Sequence, residues 1–124
     1  MFDWNDFKTL AEELREREDE AAKRTAISRI YYATYWQARN YLESEGGLLR
    51  IYEGSHTQIW NEFKRKSGHT AKAIGRLGSE LHNFRVNADY FSEVTKIEQL
   101  MQDSFQLADK ILVYLGQIEK KTES

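Results

Sequence analysis

The sequence predicts an all-α fold, an up-and-down bundle of four to five helices. Three observations carry that prediction. Pro is absent from all 124 residues, so nothing breaks a helix from within. Apolar residues recur at steps of three and four through most of the chain. Strand-like alternation never lasts beyond a few residues, and there is no internal repeat or low-complexity segment.

The elements follow in order. Trp4, Phe7, Leu10, Ala11 and Leu14 predict a first helix from about Asp3 to Arg17, with Asp3, Asn5 or Asp6 as its cap. Glu12 to Arg24 is mostly charge and reads as a solvated helix end plus a turn near Glu18–Glu20, or as a stretch running on into the next helix. The second helix, about Glu20 to Glu43, contains AISRIYYATYWQARNYL, the most aromatic stretch of the chain. On a helical projection Ile27, Ile30, Tyr31, Thr34, Tyr35, Ala38, Tyr41 and Leu42 share one broad face. Its reverse carries Arg29, Tyr32, Ala33, Trp36 and Asn40, again at helical spacing. A helix with aromatic content on both sides is wrapped by neighbours or pressed against a partner.

Ser44 to Gly54 contains Gly46, Gly47 and Gly54 and reads as a loop. Ser55 is a candidate cap for a third helix, His56 to Lys66, with Ile59, Trp60 and Phe63 inward, ended at Ser67-Gly68. The fourth helix spans about Ala71 to Ala88, with Ile74, Leu77, Leu81, Phe84 and Ala88 as its seam. Gly75 and Gly78 cost this helix roughly 1 kcal/mol each relative to Ala, which implies close approach of something to their face. The fifth runs from Ser92 to about Lys120, with Val94, Ile97, Met101, Ala108, Ile111, Leu115 and Ile118 as its stripe, widened by Leu100, Phe105 and Leu112. Residues 1–120 then form one domain, and 121–124 a frayed tail.

Composition narrows the function classes. The formal net charge of −2 argues against non-specific coating of nucleic acid but allows a local basic patch, such as Lys64, Arg65, Lys66 and Lys72 around Gly68. The absence of Cys excludes disulfide and thiolate chemistry and fits a cytoplasmic setting. No apolar run reaches the roughly 18 residues of a membrane span, and the acidic, aromatic start MFDWNDFK is unlike a secretory signal. The three His residues lack metal-ligand spacing and no Gly-rich phosphate loop occurs, so neither a metal nor a cofactor is expected.

Three pieces stand out together: AISRIYYA from Ala26 to Ala33, Gly54-Ser55-His56 opening a helix, and LHNFRVNADY from Leu81 to Tyr90. Their order and spacing resemble the HEPN superfamily (the nucleotide-binding domains shared by higher eukaryotes and prokaryotes). Within it, they resemble the small, single-domain prokaryotic branch, with its S-R-x-Y-Y-A central helix and R-x-x-A-D-Y helix end. The resemblance covers roughly Ala22 to Leu115. It implies a helical bundle that forms homodimers. It further implies a toxin–antitoxin or defence setting, with either metal-independent ribonuclease activity or a non-catalytic role beside a nucleotidyltransferase partner.

Active members of that family share an Arg, then four to six intervening residues, then a His, working at a dimer cleft. Arg85 matches the Arg, but the His position falls on Tyr90, Phe91 or Ser92. An obvious acid/base near neutral pH is therefore missing from that position. Arg76 and His82 satisfy the spacing literally but lie about 120° apart on one helix. Gly75, Gly78, His82, Arg85 and Asp89 instead form a single stripe beside the core seam.

Arg85, His82 and Tyr90 are thus the catalytic candidates, and Arg29, Tyr32, Trp36, Arg85 and Asp89 the candidates for binding RNA or a second chain. Each has a structural alternative. Arg29 could stack on Tyr32 or Trp36, Arg85 and Asp89 could form a helix pair, and His82 could be a half-buried hydrogen-bonding residue. His56 reads as a helix-end residue, and His69 has no assigned role. The expected function is a dimeric HEPN-like interaction module with a nucleotidyltransferase partner and RNA as a candidate ligand. The alternatives are a metal-independent endoribonuclease using Arg85 and a helical adaptor or antitoxin without an RNA role.

Overall fold

The computed structural model describes residues 1–46 and 55–123. Five helices form an all-α bundle: α1 (Asn5–Leu14), α2 (Glu20–Ser44), α3 (Ser55–Arg65), α4 (His69–Tyr90) and α5 (Ile97–Glu123). There is no strand among the described residues. The expected loop from Ser44 to Gly54 lies outside the described residues from residue 47 on.

The long helix α2 touches all four others. Its predicted apolar face is the core: Ile27, Ile30, Tyr31, Thr34, Tyr35, Ala38, Tyr41 and Leu42 are all buried. Asp19 starts it, its Oδ2 accepting a hydrogen bond from the Ala22 amide at 3.2 Å. The reverse of α2 is covered within the chain by α1. Trp4 stacks on Trp36 with ring centroids 4.4 Å apart and planes 3° from parallel. The Arg29 guanidinium lies 4.7 Å from the centre of the Phe7 ring, and Ala33 is fully buried. A neighbouring helix thus takes the part of this face at Arg29, Ala33 and Trp36, while Asn40 is exposed.

α3 leans mainly on α4, and the two glycines explain why. A Cβ on Gly78 would stand 2.1 Å from Cε3 of Trp60, and one on Gly75 would stand 2.6 Å from the Trp60 carbonyl oxygen. The close approach implied by the sequence is therefore that of α3. Trp60 is fully buried as a result.

Several boundaries differ from expectation. α1 ends at Leu14 rather than Arg17, closed by a hydrogen bond from the Arg17 amide to the Leu14 carbonyl at 3.1 Å. α4 begins at His69, two residues early, because Gly68 at φ 101° turns the chain straight into it. α5 begins at Ile97 rather than Ser92. Lys96 has a left-handed φ of 57°, and the β-branched Val94 and Thr95 before it favour extended backbone. Val94 accordingly precedes the helical stripe it was expected to join. At the other end α5 continues to Glu123, past the expected start of the tail at 121.

Candidate anion-binding site

α2, α3 and α4 meet around Tyr31. Its ring centre is 5.5 Å from that of His56, 5.5 Å from that of His82 and 5.4 Å from Cζ of Arg85. The His56 and His82 rings lie 5.1 Å apart and 6° from parallel. Tyr35 closes over His56 at 4.4 Å.

A chain of hydrogen bonds links α3 to the Tyr31 hydroxyl of α2. Trp60 Nε1, which can only donate, gives its hydrogen to the Tyr31 hydroxyl oxygen at 3.1 Å. Tyr31 is fully buried, and its hydroxyl is hydrogen-bonded to His56 Nδ1 at 2.8 Å. Burial pushes the Tyr31 hydroxyl well above its ordinary pKa.

Arg85 is only 6% exposed. Its Nη1 donates to Asp89 Oδ2 at 3.3 Å, and that same oxygen accepts from Ser28 Oγ at 3.3 Å. Arg29 Nη2 donates to Ser28 Oγ at 3.2 Å. Arg85 Nε is buried and has no hydrogen-bond partner among the described residues. The Tyr32 ring stands between the two arginines, 5.2 Å from Arg29 Cζ and 5.4 Å from Arg85 Cζ.

In this network two guanidiniums face one carboxylate, and the imidazoles add no charge. Burial, then the neighbouring His82 and Arg85, holds His56 down to about 4. Burial, then Arg85, lowers His82 as well. The charges bearing on His56 include Arg39 and are all positive. The site is thus positive, part-aromatic and short of an acceptor for Arg85 Nε, an arrangement suited to an oxyanion.

The predicted site residues separate into two groups. Arg29, Tyr32, His82, Arg85 and Asp89 come together, and Tyr90 joins them with its ring 5.9 Å from Arg85 Cζ. Trp36 does not: it is engaged by Trp4 on one side and by Arg39, 4.2 Å from its ring centre. Arg76 is exposed on another face of α4. In the basic cluster near Gly68, Lys66 pairs with Glu45 at 2.6 Å and Lys72 donates to the Lys64 carbonyl at 3.0 Å. Sequence reasoning passed over His56 as a helix-end residue. The helix-end position is correct, but only the packing of α3 on α4 turns its ring toward Tyr31 and His82.

Among the described residues there is no group of three or more His, Cys, Asp or Glu side chains able to hold a metal ion. No helix there is long and apolar enough to cross a membrane. Comparison with family models, with curated proteins and with solved structures finds no match.

Proposed function

We propose that this chain is a HEPN-like interaction module that dimerises and grips an RNA backbone phosphate at Arg85, His82 and His56. Its setting on this reading is cytoplasmic, in a toxin–antitoxin or defence system with a nucleotidyltransferase as partner. The observation that supports it most is the buried Arg85 whose Nε lacks an acceptor among the described residues. A phosphate oxygen reaching that nitrogen would supply one, with His56 and His82 packed on the same Tyr31 ring as the guanidinium.

Cleavage is the second reading, favoured by the two stacked imidazoles and the guanidinium that pack around one Tyr31 ring. In that reaction the ribose 2′-oxygen attacks the adjacent phosphorus and the bond to the 5′-oxygen breaks, leaving a 2′,3′-cyclic phosphate. The 2′-hydroxyl proton goes to a base, and an acid protonates the departing 5′-oxygen. Neutral His82 suits the base. The acid is the difficulty: at neutral pH both rings are unprotonated and Tyr31 is too weak a donor. Binding without efficient cutting is therefore the favoured outcome.

Incubating the protein with mixed RNA in EDTA tests both readings. The expected result is retention of intact RNA, lost in Arg85→Gln, from a protein that light scattering shows to be dimeric. Arg85-dependent scission to cyclic-phosphate ends would favour the second reading. Neither binding nor scission would overturn both.

A further inference from the structure

We infer that Tyr90 is a stacking platform for an unpaired nucleobase, so that the site selects single-stranded over duplex RNA. The inference rests on the phosphate reading of Arg85 and adds a base contact to it. Tyr90 is the last residue of α4 and is 72% exposed. Most of this large aromatic ring is thus left in water, outside the protein's own packing.

Its position relative to Arg85 is what gives it a use. Arg85 Cζ lies 5.9 Å from the ring centre, so one side of the ring faces the guanidinium while much of the rest is open. In a nucleotide, base and phosphate are separated by a single sugar. A phosphate held by Arg85 thus delivers its own base, or the next one, to the open part of Tyr90. In a duplex both faces of each base are already stacked, and only a single strand has a face to offer.

The backbone beneath Tyr90 is held in place. Arg24 of α2 donates from Nη1 to the carbonyls of Ala88 at 2.9 Å and Phe91 at 2.6 Å, and from Nη2 to that of Ser92 at 3.3 Å. These bonds satisfy carbonyls at the end of α4 and fix the direction in which the helix presents its last residue. A platform already in position loses little freedom when a base lands on it. The neighbouring Phe91 is also exposed, at 53%, but its ring lines a separate cleft with Asn87, Val94 and Leu100. Tyr90 is the ring that belongs to the Arg85 side.

The test is fluorescence anisotropy on the full chain with three labelled probes: single-stranded hexauridylate, an RNA duplex of the same length, and a strand of that length without bases. The wild type is expected to prefer hexauridylate over both others. Tyr90→Ala should weaken hexauridylate binding about tenfold and leave the abasic strand unchanged, while Tyr90→Phe binds like the wild type. An unaltered thermal melt for each variant will show that the exposed position has not disturbed the fold. Tyr90→Ala binding like the wild type would overturn the inference. So would Tyr90→Phe losing as much as Tyr90→Ala, which would assign the role to the hydroxyl. Equal binding of hexauridylate and the abasic strand by the wild type would overturn stacking and leave the phosphate reading standing. Absence of binding to every probe would overturn both.

Discussion

Arg85 is held by a shell that satisfies it only in part. Nη1 has Asp89, but the buried Nε has no acceptor among the described residues. An unsatisfied buried donor costs about 1–3 kcal/mol, and more when it is charged. Such a cost is relieved when an anion arrives, which is the physical core of the proposed function. The same burial acts on His56, whose pKa falls to about 4 in the folded chain against 6.5 for the ordinary imidazole. Here the folded value is the lower one, so the unfolded chain binds more protons between those limits. Stability is then fully present above about pH 6.5 and declines as the pH falls toward 4. Glu45 and Glu98, hydrogen-bonded by Lys66 and Lys23 respectively, sit below their ordinary values and remain ionised through the upper part of that window. Urea denaturation at pH 7 and pH 5 should therefore give a lower midpoint at pH 5, with the gap narrowed in His56→Gln. Equal midpoints for the wild type would contradict the buried, neutral assignment.

At the scale of elements, α3 and α4 hold the site together, and their contact depends on two missing side chains. Gly78 has the ring of Trp60 where its Cβ would be, and Gly75 has α3 backbone. Gly78→Ala gains helix propensity of about 1 kcal/mol but must displace a fully buried indole, at about 1–3 kcal/mol or more for an overpacked core. The net expectation is a loss of stability, read as a lower thermal midpoint, together with a disturbed Trp60 hydrogen bond to Tyr31. A midpoint equal to or above the wild type's would show that α3 moves aside easily. These glycines were legible in the sequence because a residue costly to a helix needs a reason to be there. The start of α5 was not legible, since no pattern in Ser92 to Lys96 announces a left-handed Lys96. Nor was the use of His56, whose partners come from α2 and α4 and are distant in sequence. The reverse face of α2 was half legible: its aromatic content was plain, but Trp36 alone does not say that Trp4 will cover it.

At the scale of the whole molecule, the formal charge of −2 means that no long-range attraction draws an anion in. Affinity must come from the local excess of Arg29 and Arg85 over Asp89, in a part-buried place where salt screens weakly. The five-helix frame makes this possible. α2 supplies Tyr31, Tyr32, Arg29 and Ser28, α3 supplies His56, and α4 supplies His82, Arg85, Asp89 and Tyr90. An anion seated among them favours protonated imidazoles and so takes up protons as it binds. The most direct measurement is the pH titration of the His56 and His82 ring signals by NMR, with and without single-stranded hexauridylate. Both rings should titrate below the ordinary range in the free protein, and the oligonucleotide should raise both. Ring titrations that the oligonucleotide leaves unmoved, in a protein whose Arg85 signals are equally unmoved, would contradict the proposed anion site.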